Sequence, residues 1–473
     1  MQNNHDFEYI LSKTPNFKLR QAVERLREGL FDPLGVRLLT TGEITLNHHF
    51  ENQIENLQKG KPAHFCVCGA YGQGKSHTLN YIRQRSLEEK YVVSTINLDP
   101  REVPFHNLKQ VYRSIMENLT FPDNTTVATT ENEDMTNSNS DNTEFADIWK
   151  RSSRNWLSLP ENRGKTIIDM IPETIPHRFK AILTAMAQQT IKIPNGKLNL
   201  KQKSRVISNL KKYAGFQPRE FPWILLNAFM GKDIPVTLLR NALKYRQVSF
   251  YNDESLACRD PRLYLEAIKG YASLFQDMGY KGFIVLFDEA ESIMIATIRN
   301  RTKSYSILHD IFSPQKAPKG FFPVFAFTDD FFTHLNDEDF EQKKSIVKKR
   351  YPSLTNQSPT DDALNILNLN KVQDSSESHE EVHIFEKDYS KAWRNINIYK
   401  LRNLNSKEWH DIIVKLINIH SLAYNWHPDV ALMDKTIFSK LLKQSDAESR
   451  MKLKLIVNIL DIEQQKILIS KYS

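Results

Sequence analysis

Residues 69–76 read GAYGQGKS, directly after the apolar stretch HFCVC (64–68). Gly69, four free positions, then Gly74, Lys75 and Ser76 satisfy G-x-x-x-x-G-K-[ST] at every fixed position. Such spacing builds a phosphate cradle. Glycines let the backbone curl so that successive N–H groups point inward at phosphate oxygens. Lys75 would reach the β- and γ-phosphates, and the Ser76 hydroxyl would ligate Mg²⁺. The flanks fit: 64–68 reads as a short buried strand and 75–90 as a helix, whose N-terminus favours anions. The candidate nucleotide-binding set is therefore Gly69, Ala70, Tyr71, Gly72, Gln73, Gly74, Lys75, Ser76 and His77. A ligand-free glycine turn is the alternative.

A nucleoside triphosphate site needs a carboxylate, and KGFIVLFDEAES (281–292) supplies one. Phe283 to Phe287 is an unbroken apolar run, as in a central parallel strand buried on both faces, and it ends in Asp288 and Glu289. Asp288 there would hold the Mg²⁺ shell, and Glu289 would polarise an attacking water. Ligands of open α/β sheets gather at such strand ends. The competing reading makes Asp288 a helix cap. YVVSTINL (91–98) and GFFPVFAFT (320–328) read as two further strands. Thr328 closes the second, either as a sensor of the γ-phosphate or as a plain N-cap. The fold expected is α/β, a three-layer parallel-sheet P-loop core.

The chain has 473 residues, with 64 Lys+Arg against 56 Asp+Glu and a net charge of +8. That length allows two or three domains. The basic excess is spread out and permits contact with nucleic acid without demonstrating it. KQKSRVISNLKKY (201–213) and KKSIVKKR (343–350) are the densest basic stretches, each readable as a solvated helix face or a DNA contact. Three cysteines argue against a disulfide framework, and Cys66 and Cys68 read as buried strand residues. MQNNHDFEYILSK lacks the pattern of a signal peptide, and no apolar run is long enough to span a bilayer. A cytoplasmic protein without a membrane partner is expected.

Helices are expected at 17–30, 50–60 and 107–119. Residues 122–144 are polar and nearly free of large apolar side chains, as in a disordered loop, and 353–381 reads as a loop or linker. Lys75 and Asp288 lie much further apart than in compact P-loop domains, so the core must carry a large helical insertion. Stretches 397–426 and 445–468 read as amphipathic helices of a C-terminal lid. The resulting division is 1–120 (first part of the core), 121–278 (loop and insertion), 279–352 (second part of the core), 353–390 (linker) and 391–473 (lid).

The stretch GAYGQGKSHTLNYIRQRSLEEKYVVSTINLDPREVPFHNLKQVYRSIMENL (69–119) resembles the P-loop ATP-binding proteins of BREX-type phage-defence systems. The likeness continues in LREGL (26–30), GYKGFIVLFDEAES (279–292), LINIHSLAYNW (416–426) and ESRMKLKLIVNILD (448–461). The resemblance implies an AAA+-related, oligomeric ATPase using ATP and Mg²⁺. It implies Lys75 and Ser76 as Walker A, Asp288 and Glu289 as Walker B, and a sensor at Thr328. It also implies a lid arginine near the γ-phosphate at Arg450. Arg299 and Arg301 would reach a neighbouring subunit as arginine fingers, or are ordinary surface charges, an alternative that holds for Arg450 too. Implied partners are a second copy of the chain, other defence-system proteins and double-stranded DNA.

These expectations converge on an ATPase coupling ATP to assembly or remodelling on DNA. A nucleotide-gated binding module with slow hydrolysis and a replication-initiator or helicase-loader ATPase remain as rivals. A small-molecule kinase fits less well, because no acceptor site is visible.

Overall fold

The computed structural model describes residues 2–30, 32–40, 43–122, 142–187, 221–314, 317–335, 337–338, 396–442 and 449–472. Its centre is a sheet of six strands: β1 (Phe65–Cys68), β2 (Val92–Asn97), β3 (Leu119–Thr120), β4 (Phe283–Asp288), β5 (Phe321–Phe327) and β6 (Ile398–Lys400). They lie in the order β3-β2-β4-β5-β1-β6. All pairings are parallel except β2 with β3, so the sheet is mostly rather than wholly parallel. The apolar runs explain why these segments are strands: every residue of β1 and β5 is buried, as is all of β4 except Asp288. Register aligns the carboxyl ends, with Asn97 opposite Asp288 and Cys68 opposite both Phe327 and Lys400.

Alternation along the strands divides the side chains between two faces. Phe65, Val67, Leu286 and Val324 meet one helical layer through Phe50 and Leu79. These two come from α4 (Glu43–Gln58) and α5 (Lys75–Glu88), which follow α1 (Gln2–Lys13), α2 (Asn16–Glu28) and α3 (Pro33–Leu39). Cys66, Val285, Phe287 and Phe325 face the other layer, where Leu108 and Ile115 of α6 (Leu108–Glu117) pack. Cys66 and Cys68 are buried as expected. The helices between β3 and β4 continue this second layer. Tyr112 of α6 donates to the Phe229 carbonyl at 2.6 Å, and Trp149 Nε1 donates to the Leu183 carbonyl at 2.9 Å.

A separate core joins the two ends of the described chain. Leu19 and Val23 of α2 and Leu38 of α3 pack with Ile413, Leu416 and Val457 of helices Ser406–Tyr424 and Ser449–Tyr472. Arg27 makes two bonds of 2.9 Å to Asp461, and Tyr424 donates to Glu24 at 2.6 Å.

Several expectations change. The helix expected from 397 begins at Ser406, where Asn405 and Glu408 form a capping box; residues 398–400 are instead an edge strand. The helix expected over 50–60 begins at Glu43, and the one over 107–119 stops at Glu117, before β3. Helix Asn142–Ser158 starts inside the expected loop 122–144, most of which lies outside the described residues. Stretches 201–213, 343–350 and 353–381 also lie outside them. Among the described residues no helix is long and apolar enough to cross a membrane.

His64 fastens β6 to the start of β1: its Nε2 accepts from the Asn397 amide at 3.1 Å. Burial pushes this imidazole down to about 4 from the ordinary 6.5. Between those values the unfolded chain takes up a proton that the folded chain refuses, so stability falls as pH drops through that window. His64→Gln is therefore expected to flatten the loss of melting temperature between pH 7 and pH 4.5. An unchanged slope would place the proton uptake elsewhere.

Candidate functional site

β1 ends at Cys68, the GAYGQGKS loop follows, and α5 begins at Lys75. Gly72 and Gly74 take left-handed backbone with φ of 75° and 106°, which side chains with a Cβ disfavour. Lys75 is only 7 % exposed. A lysine in an empty cradle would be expected to be partly exposed, and this one is buried. Its Nζ donates to the Gly69 carbonyl at 3.1 Å and the Ala70 carbonyl at 3.4 Å, and lies 3.4 Å from Glu291 Oε1. The Ala70 amide is held by Gln73 Oε1 at 2.8 Å, and Gln73 Nε2 donates to Asn403 at 3.1 Å.

Tyr71 through His77 line a cavity of about 770 Å³, within the range of small-ligand pockets. Asp288, Glu289 and Thr328 line the same cavity, so the ends of β4 and β5 meet the loop there. Gly69 and Ala70 are not among the lining residues and meet Lys75 through their carbonyls. The lining is also apolar in part, with Leu26, Val36 and Leu39 from α2 and α3, Leu404, and Ile412 and Leu453 from the C-terminal helices. Arg450 lines this cavity as well. Arg299 and Arg301 do not. Arg299 is exposed on helix Ile298–Phe312. Arg301 pairs with Glu338 at 2.5 Å and donates to the Ala296 carbonyl at 2.6 Å.

Glu289 adopts φ 54°, left-handed backbone that costs a non-glycine residue about 1–3 kcal/mol and clusters at functional sites. Its amide donates to Asp288 Oδ1 at 3.0 Å. Although the residue reaches solvent, partial burial of its carboxyl raises its pKa above the usual glutamate range. The carboxylates of Asp288, Glu291 and Asp99 push the same way, and Lys75 opposes them. That direction suits a group that accepts a proton from water. Cys68 is inert by contrast, its thiol pushed up to about 12 chiefly by burial. Thr328 precedes a helical turn starting at Asp329, so both readings of its hydroxyl stay open.

Three participants were not legible in advance. Glu291 pairs with Lys75 from a short 3₁₀ turn, Ala290–Ile295. Thr40, after α3, meets His77 Nε2 at 2.9 Å, and burial lowers that imidazole to about 4. Arg402 grips Glu408 with two bonds, of 2.7 and 2.5 Å, beside the cavity. Only the Asn405–Glu408 capping box left a local trace in the sequence.

The donor set suits Mg²⁺. Ser76 and Asp288 offer hard oxygen ligands on one cavity wall, and Mg²⁺ binds through one or two carboxylates plus substrate phosphates. Among the described residues no cluster of three or more His, Cys, Asp or Glu forms an all-protein metal cage.

No curated protein and no solved structure matches the chain. The model of the BREX system ATP-binding protein BrxC/D family matches residues 16–131 and 260–337. Those segments carry the GAYGQGKS loop, β2, β4, the Ala290–Ile295 turn and β5; the likeness noted at 416–426 and 448–461 lies beyond them. Through this match the chain belongs to the BREX system ATP-binding protein BrxC/D family.

Proposed function

We propose that the chain is an ATPase of a BREX-type phage-defence system, with an AAA+-like P-loop core, acting with other proteins of that system. One observation carries the proposal: a single cavity combines side chains suited to phosphates with an apolar lining. Lys75, Ser76, Asp288, Glu289 and Thr328 supply the first; Val36, Leu39 and Leu453 belong to the second, which suits a nucleobase. The sheet order supports the fold assignment. β5 stands between β1 and β4, so Thr328 ends between the loop and the acidic pair.

Lys75 would hold the γ-phosphate as a fixed point charge, and loop amides would cradle the phosphates. Ser76 and Asp288 would hold Mg²⁺, which when bound offsets charge on the phosphate oxygens. Glu289 would orient water and take its proton, while Thr328 would hold the water or the terminal phosphate. Arg450 would bring positive charge from the C-terminal helices, coupling their position to the phosphates. We extend the proposal to a homo-oligomer, with Arg299 as the candidate for reaching a neighbouring subunit, since Arg301 is committed to Glu338. Double-stranded DNA is the proposed substrate of remodelling.

The deciding measurement is ATP turnover with and without double-stranded DNA, alongside mass with and without ATP. DNA-stimulated turnover and ATP-dependent assembly are expected. ATP binding without turnover would instead identify a nucleotide-gated module, and a folded protein that does not bind ATP would overturn the assignment.

A further inference from the structure

We infer that Glu291 is a positioning residue that competes with the terminal phosphates for Lys75, so that it sets the affinity for nucleotides carrying a β-phosphate. The inference rests on the ATP-binding reading above. An ammonium group has three donors and no acceptor. Those of Lys75 have three acceptors among the described residues: the Gly69 carbonyl, the Ala70 carbonyl and Glu291 Oε1, at 3.1, 3.4 and 3.4 Å. A phosphate oxygen held by Lys75 has to displace one of them.

The two carbonyls are poorly placed to yield. The Gly69 carbonyl shares its peptide with the Ala70 amide, which donates to Gln73 Oε1 at 2.8 Å, and the Ala70 carbonyl itself accepts from the Gln73 amide at 3.3 Å, so both carbonyls are held in place. Glu291 hangs from the short turn Ala290–Ile295 by a flexible side chain and lines the cavity itself. Its second oxygen, Oε2, is buried and has no hydrogen-bond partner among the described residues. The carboxylate is thus the least well satisfied of the three acceptors, and a buried polar atom without a partner is costly. Displacing it exchanges one anion for another at Lys75 and lets Glu291 turn toward solvent. A nucleotide must therefore break the pair to bind, and its apparent affinity falls by the fraction of molecules in which Lys75 is free.

Two variants separate this competition from simple charge repulsion. Glu291→Gln removes the charge. Glu291→Asp keeps it but shortens the side chain by one methylene, so that it no longer spans to Lys75. Binding of ATP, ADP and AMP, each with Mg²⁺, is measured by calorimetric titration, and folding by thermal denaturation. Both variants are expected to bind ATP and ADP about tenfold more tightly than wild type, with AMP unchanged. Wild-type affinity in Glu291→Asp with tightening only in Glu291→Gln would mean repulsion and overturn the inference, as would equal tightening for AMP. Wild-type affinities in both variants would overturn it while leaving ATP binding intact. Failure of the wild-type chain to bind ATP would overturn both readings.

Discussion

Lys75→Ala is expected to abolish productive ATP binding or turnover and, in addition, to lower the melting temperature. The first effect follows from removing the only ammonium group among the described residues that line the cavity. The second follows from burial. Lys75 is 7 % exposed and neutralises Glu291, so its loss leaves unpaired a carboxylate whose Oε2 already has no hydrogen-bond partner among the described residues. Breaking a fully buried pair costs about 3–5 kcal/mol. Glu291 lines the cavity and can turn toward solvent, so a loss below that range is expected. Adding Glu291→Gln to Lys75→Ala should recover most of that stability and none of the ATP binding. Calorimetric titration and thermal denaturation of the two proteins check this pair of outcomes. Wild-type-like hydrolysis by folded Lys75→Ala would sink the phosphate-loop assignment.

Glu289→Gln is expected to keep ATP binding and lose turnover by about 10²-fold or more, the range for removing a positioned catalytic group. The amide keeps the shape and leaves the left-handed backbone at φ 54° unchanged, so the melting temperature should hardly move. The pH profile adds a second readout. A base works only when deprotonated, and the Glu289 carboxyl is raised above the ordinary 4.5. Wild-type turnover should therefore fall on an acid limb that the residual activity of Glu289→Gln lacks. Loss of ATP affinity as large as in Lys75→Ala would make Glu289 a structural residue.

What could be read in advance was local. The GAYGQGKS loop has fixed spacing, and the run Phe283–Phe287 ends in an acidic pair because a strand buried on both faces admits polar residues only at its end. What escaped was long-range or short. Glu291 meets Lys75 only after the sheet brings β4 and β1 into one plane, and nothing in DEAES marks which carboxylate will turn inward. β6 has three residues, too few for a periodic signal, and it adjoins a strongly helical stretch that drew the expected boundary toward it. α3 has seven residues, and its signals are Asp32 as N-cap and Pro33 at the first position. The union of α2 with the C-terminal helices depends on Arg27 and Asp461, whose charges look like ordinary surface residues until their partners are known.

The pairing of β1 bears on how the protein is made. Its two neighbours are residues 324–327 and 398–400, both far downstream. At roughly 5–20 residues per second, the strand carrying the nucleotide loop leaves the ribosome tens of seconds before its last partner is synthesised. For that interval FCVC has bare edges and apolar side chains on both faces, a template for wrong pairing with other nascent chains. The loop can reach its finished shape only when Asn397 accepts from the Cys66 amide and Leu401 donates to the Cys68 carbonyl, at 2.9 and 2.7 Å. Chains cut short before Ile398 would therefore leave the ribosome with β1 still uncovered on one side.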